Sequence, residues 1–486
     1  MKKELKVSKY LHFLQVDKGM HIGWNRFYPS IFIFNESALE LLDRIDKNKP
    51  LAPGGEAEIG PFLEAFKKYR FIYEGDVDRS REDFVKMVHQ KLEEPNREAA
   101  NFYRLEEDYA DLKLVNDECN LNCTYCVNEE VSPGKHLPPG TNNKKRKFSF
   151  EERERTINQC VDQFFARKIR KGIKRTKISL NGGEILVDWK LVKKLLRRIS
   201  EEYPDIEVEY SINTNLAMLT EEIAEVFLEN NFKVDISIDG YREAHNKTRR
   251  YHNGKGSFDD VIEKVELYRR LHKDKKNALK VFQGTIEFPD AFQPEEVYKM
   301  DKYGFVFARL APNLLNVSQE DAGKKARLMG KFLELNSQYK DRFQVTELIF
   351  TKAKDKINQE EYRFAFNCQG LCGLPKMGIE INITNLSVSH LCGFIPGTSV
   401  PLEDLQYDIY NPKLWDVSYK FIKDRMEAVL THCMDCRLVG ICSGGCILSG
   451  IDTENRLNKA ACVYQNEMWE IYVKKVFQDK KKKKNR

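Results

Sequence analysis

Between about 109 and 345, short apolar runs alternate with amphipathic helical repeats. Leu112 to Val115, Lys177 to Leu180, Val208 to Ile212, Val234 to Ile238, Val281 to Ile286 and Phe305 to Leu310 read as strands, with helices such as Leu191 to Tyr203 and Ile223 to Asn230 between them. Strands separated by helices build right-handed βαβ units and hence a parallel sheet. Six such units predict an α/β fold, a partial (β/α)6 TIM-like barrel, with chemistry at the carboxyl ends of its strands. Residues 1–100 read as a small α+β unit. Ile31 to Phe34 is a strand; Ala38, Leu41, Leu42 and Ile45 repeat at helical spacing behind Asn35 to Ser37; Ile59, Phe62, Leu63 and Phe66 mark a second helix, Phe71 to Tyr73 a short strand, and 80–108 a charged helical connector. Beyond about 346 both periods break up, and cysteine and glycine dominate until a final helix, Gln465 to Phe477. Such a region is expected to be stapled by metal.

Composition narrows the class. The 486 residues are 41% hydrophobic and 32% charged, which suits a globular chain of several domains. No stretch approaches the roughly 18 apolar residues that span a bilayer, and the start, MKKELKVSKYLHFL, lacks a signal peptide's apolar run. A cytoplasmic protein without membrane insertion is expected. The net charge of +6 is matched by the six basic residues of the last seven, Lys480 to Arg486. The tail, 476–486, therefore reads as a solvated, disordered terminus, and nucleic acid gains no support as a partner.

Twelve cysteines in a reducing compartment point to metal rather than disulfides. Cys119, Cys123 and Cys126 lie in CNLNCTYC, just after the first barrel strand. Three thiolates hold three corners of an iron–sulfur cube and leave one iron open, whereas a structural zinc wants a fourth ligand nearby. The Pro-, Gly- and Lys-rich stretch VNEEVSPGKHLPPGTNNKKRK that follows is placed to act as a cover. Eight further cysteines crowd between Cys368 and Cys462, and Cys160 stands alone in INQCVDQFF at helical spacing, as a buried, inert thiol would.

CNLNCTYC resembles the CX3CXφC signature of radical S-adenosylmethionine (SAM) enzymes, with Tyr125 as the aromatic φ. The resemblance implies a 4Fe-4S cluster whose open iron binds SAM and cleaves it to a 5′-deoxyadenosyl radical. Gly182, Gly183 and Glu184, after the second strand, resemble the family's GGE, whose glycines admit SAM and whose carboxylate takes its ammonium group. SINTN, ending at Asn215, resembles its TN motif. SIDGYREAHNKTR resembles the segment whose serine and arginine, here Ser237 and Arg249, reach SAM.

Cys433-X2-Cys436-X5-Cys442-X3-Cys446, followed by Cys462, resembles the SPASM extension, which carries auxiliary clusters. Cys372 and Cys392 fit its upstream half, although Ser387 stands where the family usually has glycine, and Cys368 supplies an eighth thiol. By that resemblance Cys368, Cys372, Cys392 and Cys446 hold one cluster, and Cys433, Cys436, Cys442 and Cys462 another, making three 4Fe-4S clusters in all.

FIFNESALELLDRI and the order of its elements resemble the RiPP recognition element, which binds the leader of a ribosomally made precursor peptide as an added strand. The expected organisation is a recognition-like domain at 1–100, a radical SAM core at 109–345, a SPASM domain at 346–475 and the tail. The expected activity is that of a radical SAM peptide maturase installing an oxidative cross-link, a thioether in preference to a carbon–carbon bond. Its partners are a leader-bearing precursor and a flavodoxin- or ferredoxin-like electron donor. A sulfatase-maturing, formylglycine-generating enzyme is the alternative, and an iron–sulfur electron-transfer or metal-sensing protein the alternative from another class. No residue for proton transfer is legible.

Overall fold

The computed structural model describes residues 4–50, 56–93, 111–126, 147–272, 279–339, 342–347, 378–390, 397–442, 444–445, 450–451 and 456–484. It opens with a short strand, β1 (Leu5–Val7), and then an antiparallel meander of β2 (Leu11–Asp17), β3 (Met20–Asn25) and β4 (Tyr28–Asn35). The run at 31–34 is thus the end of a sheet whose first two strands carry His12, Gln15, His21 and Asn25 among their apolar residues. Asn35 then caps the helix Glu36–Asp46 by accepting from the Ala38 N–H at 2.9 Å. The helix Glu56–Lys68 and β5 (Ile72–Glu74), antiparallel to β1, complete this part.

One face of the meander, through Phe32 and Phe34, packs on Leu42, Ile45, Leu63, Phe66 and Phe71. Side chains alternate along a strand, so Trp24 belongs to the opposite face, where its ring lies edge-on to Trp469, 5.6 Å away. The β3–β4 turn places Phe27 in a core with Phe84, Val88, Met426, Val429 and Met434. Residues 1–95, 349–373 and 423–486 accordingly cluster as one compact unit. Two elements late in the sequence differ from expectation. A 21-residue helix, Pro412–His432, occupies sequence read as irregular. Its inward positions include buried Ser418 and Arg425 beside Leu414 and Val429, and those polar residues blur the helical period. The last helix spans Lys459–Lys484, so the basic tail is helical to Lys484 rather than disordered. Lysine is a good helix former, and cations suit a helix's carboxyl end.

The second unit, 96–348 with 374–422, is built on β6 (Leu112–Asn116), β7 (Arg175–Gly182), β8 (Glu207–Thr214), β9 (Lys233–Ser237), β10 (Val281–Ile286) and β11 (Phe307–Pro312). All pair in parallel, each with its neighbour in sequence. A doubly wound sheet reverses strand order at a switch point; β6 to β11 follow one another in a single direction, which is the topology of an incomplete (β/α) barrel. The six expected strands are joined by two more parallel ones, β12 (Gln344–Glu347) beside β11 and β13 (Ile379–Asn382) beside β6, and β14 (Ser387–Ser389) and β15 (Val400–Pro401) extend the sheet antiparallel.

Burial alternates along these strands. Ile178, Leu180, Ile212, Ile236, Phe282 and Leu310 are buried on one face. The other face is polar: Ser179 meets Ser211 at 2.9 Å, Ser237 donates to Asn213 at 3.1 Å, and Arg309 pairs with Asp235 at 3.3 Å. The helix Phe150–Arg170 starts with a reciprocal box, Ser149 Oγ accepting from the Glu152 N–H and Glu152 Oε2 from the Ser149 N–H, and it buries Cys160 with Phe164 and Phe165. Among the described residues no helix is long and apolar enough to cross a membrane.

Phe27 is fully buried between Tyr10 and Phe84, with ring centres 4.9 and 5.2 Å away. Phe27→Ala should destabilise the first unit by about 3–5 kcal/mol. Hydrogen exchange in β3 and in the helix Pro412–His432 should rise together, because both ends of the chain share this core.

Candidate active site at the carboxyl ends of the sheet

The loop after β6 carries Cys119, Cys123 and Cys126, and hydrogen bonds fix it along its length. Asn122 N–H donates to Arg250 O at 2.7 Å, Thr124 N–H to Thr248 O at 3.0 Å, and Cys126 N–H to Cys123 O at 3.2 Å. Beneath it, Asn382 and Asn385, at and just beyond the end of β13, donate to the two oxygens of Asp117 at 2.7 and 3.0 Å, and Thr384 Oγ1 donates to Asn116 Oδ1 at 2.5 Å. The segment after β13 is therefore the floor of the cysteine loop, a role with no sequence signature.

The end of β7 approaches the same loop closely. Gly183 N–H donates to Asn116 O at 2.6 Å and Glu184 N–H to Glu118 O at 2.8 Å. Gly182 has φ +117°, and a Cβ there would lie 2.2 Å from Asn116 O, so only glycine fits. Glu184 is fully buried. Its carboxylate accepts from Thr214 Oγ1 at 2.9 and 3.0 Å, from the Asn215 N–H at 2.7 Å and from the Leu186 N–H at 3.1 Å. Burial outweighs these bonds and pushes its pKa up to about 7. Asn215 passes the contact on, its Nδ2 lying 2.7 Å from Asn120 Oδ1 and 3.8 Å from Cys119 Sγ.

Tyr125 and Arg249 converge on a residue that motif reading missed. Asp239, 1% exposed, accepts from Tyr125 OH at 2.7 Å, Thr248 Oγ1 at 2.7 Å, Arg249 Nε at 3.0 Å and the Thr285 N–H at 2.8 Å. Burial alone would raise its pKa, but Arg249, His245 and the hydrogen bonds hold it below the usual carboxylate value. The Arg249 guanidinium also lies 5.6 Å from the centre of the Tyr125 ring. The available signal was an acid between buried Ile238 and a glycine at a strand end, a place where a charge needs several partners. Ser237 sits on the polar face beside Asn213.

Both described cysteine groups suit a metal centre chemically. Burial pushes the Cys119 thiol up to about 12, with Glu184, Cys123 and Cys126 acting in the same direction. Cys433 is likewise raised to about 12 by burial, then by Cys462 and Cys436. Burial raises Cys442 and brings Cys462 to about 11. Crowded buried thiols ionise only with a compensating cation, which a bound iron cluster provides. Among the described residues no three His, Cys, Asp or Glu side chains are placed to hold one metal ion. Cys368, Cys372, Cys392 and Cys446, like the stretch 127–146, lie outside the described residues.

Beyond the ends of β10 and β11 opens a cleft of about 650 Å3, lined by Lys247, Arg250, Glu287, Phe288, Asp321 and Lys325 among others. Lys325 is buried, donates to Asn313 O at 2.7 Å, and is held below the usual lysine pKa by that burial.

Two measurements check these electrostatics. Asp239→Asn leaves the Arg249 side chain, only 12% exposed, without its counter-ion and should cost about 3–5 kcal/mol in chemical unfolding, most of it recovered in a double variant with Arg249→Met. Because the folded-state pKa of Glu184 is raised from 4.5 to about 7, its contribution to stability is complete below the lower value and is lost as pH rises through the upper one. Glu184→Gln should flatten that part of the stability profile between about pH 4.5 and 7.

The family model of the Radical SAM superfamily matches residues 114–286, which run from within β6 to the end of β10 and include all the groups around Asp239 and Glu184. A cysteine-type anaerobic sulfatase-maturating enzyme of Clostridium novyi is 29% identical over 206 residues, 42% of this chain and 50% of its own. The radical SAM cyclopropyl synthase TigE of Paramaledivibacter caminithermalis is 24% identical over 277 residues, 55% of each chain. The chain thus spans about half the length of these curated relatives. In fold it is similar to native anSMEcpe with bound AdoMet, at a TM-score of 0.53 and 19% identity, over 75% of this chain and 98% of that one. Residues 114–286 thus form a domain similar to those of the Radical SAM superfamily.

Proposed function

We propose that this chain is a radical SAM enzyme that matures a ribosomally made precursor peptide by closing an intramolecular cross-link with net loss of two hydrogen atoms. The observation that carries the reading is the convergence at the sheet's carboxyl edge: Cys119, Cys123 and Cys126 after β6, the two close glycines at the end of β7, and Asn215 after β8 within 3.8 Å of Cys119 Sγ. Iron–sulfur clusters on the cysteines, with SAM, supply one-electron chemistry: abstraction of a hydrogen atom from an unactivated carbon and uptake of the electron released at ring closure. In this reading Cys119, Cys123 and Cys126 hold the SAM-binding cluster, and Cys433, Cys436, Cys442 and Cys462 an auxiliary one. Cys368, Cys372, Cys392 and Cys446 complete a third.

The chain's own side chains position and exclude. Gly182 and Gly183 let the end of β7 lie directly against the cysteine loop, and Asn215, Ser237 and the Tyr125–Asp239–Arg249 group frame the place of SAM. Glu184 acts by tying the end of β7 to the end of β8, since both of its oxygens are engaged by protein donors. The cleft beyond β10 and β11 takes the reacting segment of the peptide, with charges of both signs for its backbone and side chains. The leader adds as a strand to an outer edge of the β2–β3–β4 meander, where backbone hydrogen bonds provide affinity. Similarity to sulfatase-maturating enzymes supports a second reading, oxidation of one residue to formylglycine.

Anaerobic reconstitution should load on the order of twelve irons, and replacing Cys119, Cys123 and Cys126 together with alanine should leave about two thirds of them. The triple variant should form no 5′-deoxyadenosine; continued SAM cleavage would refute the assignment of that loop. Tandem mass spectrometry of the cognate peptide distinguishes the products. A cross-link lowers the mass by two hydrogens and suppresses fragmentation between the joined residues, whereas formylglycine leaves fragmentation intact. A mass unchanged in ordinary water, with a deuterium gained when the reaction is run in heavy water, would indicate epimerisation instead.

A further inference from the structure

The N-terminal meander reaches the loop that carries three of the four described C-terminal thiols. Trp24 Nε1 donates to Arg437 O at 2.8 Å, Gly440 N–H donates to Arg26 O at 2.8 Å, and Arg26 Nη1 donates to Met434 O at 3.4 Å. All three backbone groups lie between Cys433 and Cys442, so β3 and the turn after it fix the path of the loop at successive points. The approach is close: a Cβ on Gly440 would stand 2.8 Å from Arg26 O and from the backbone of Phe27.

Arg437 carries the constraint to the fourth thiol. Its Nε donates to Asn466 Oδ1 at 2.8 Å and its Nη2 to Glu470 Oε1 at 2.7 Å, while Asn466 Nδ2 donates to Cys462 O at 2.9 Å. The Trp24 ring packs on Trp469 of that same helix. Buried Arg425 closes the other side, donating to Gly444 O and Gly445 O just beyond Cys442 at 3.2 and 2.6 Å. Thus every segment bearing one of these four thiols is held either by the meander or by Arg437, whose carbonyl the meander holds.

We propose that Trp24 and Arg26 are positioning residues for the metal centre of Cys433, Cys436, Cys442 and Cys462, and that they couple this centre to the sheet on which the precursor peptide is read. The inference rests on the reading that these thiols hold a cluster. A strand added at the edge of the meander bears on β3, and β3 holds the loop through Trp24. Coupling of this kind is reciprocal: metal loading at the four thiols orders β2 to β4, and a peptide on the sheet changes the surroundings of the metal.

The test uses the full chain, reconstituted anaerobically, with Cys119, Cys123 and Cys126 changed to alanine so that the SAM-binding cluster adds no signal. Trp24→Phe keeps an aromatic ring and removes the donor. It should retain iron, shift the electron paramagnetic resonance spectrum of the reduced protein, and raise hydrogen exchange across 433–442 several-fold. In the protein with Trp24 intact, chelation of the iron should lower protection of β2 to β4, and reconstitution should restore it; this arm needs no variant at Trp24. Iron in place with an unchanged spectrum and unchanged exchange in Trp24→Phe would overturn the proposal, as would protection of β2 to β4 indifferent to chelation. Loss of no iron in Cys436→Ala would instead overturn the metal reading itself, and the proposal with it.

Discussion

A carboxylate removed from water must be satisfied by the protein, and Asp239 meets that demand at the mouth of the sheet. Its donors come from four places: the cysteine loop through Tyr125, the helix after β9 through Thr248, the residue that ends that helix through Arg249, and β10 through the Thr285 amide. None can move without leaving a charge or a donor unpaired in low dielectric, at a cost of several kcal/mol. Asp239 therefore sets the register between loop and strand ends, and the distances at Cys119, Glu184 and Asn215 have meaning because that register is fixed.

Glu184 repeats the device with the opposite electrostatic outcome. It too is buried and bonded to three partners, but no cation faces it as closely as Arg249 faces Asp239, so burial dominates and its pKa rises. One acid is kept charged by a guanidinium; the other sits near neutrality and serves as a hydrogen-bonding tie between β7 and β8. Together they hold neighbouring strand ends while the opposite face of the sheet stays polar, through Ser179, Ser211, Asn213 and Ser237.

The two cysteine groups are built by different means. The loop at 119–126 lies at the end of a strand inside one sheet, braced by the segment after β13. The group at 433–462 lies on helices and turns and is braced by a sheet from the far end of the sequence. In both, crowded thiols in buried ground make a cationic centre the natural partner.

The local signals were legible. The alternation of strands and helices predicted the consecutive parallel sheet, because in a right-handed βαβ series each crossover delivers the next strand to the same edge; Val281–Ile286 even has the bounds read from its apolar run. The cysteine spacing marked CNLNCTYC, and Gly182 and Gly183 stand where close backbone approach requires them. What was not legible depends on partners distant in sequence. Strands β2 and β3 carry polar residues at positions that only a neighbouring sheet or helix makes inward-facing, and β13 gains its place from pairing with β6, some 265 residues earlier, through contacts such as that of Asn382 with Asp117. The helix Pro412–His432 hides its period because Arg425 points inward to backbone carbonyls. The role of Asp239 and the grip of Trp24 on Arg437 follow the same rule. Hydrophobic period and ligand spacing are written in neighbouring residues, whereas the satisfaction of a buried charge or amide is settled only when the chain has brought its partners from elsewhere.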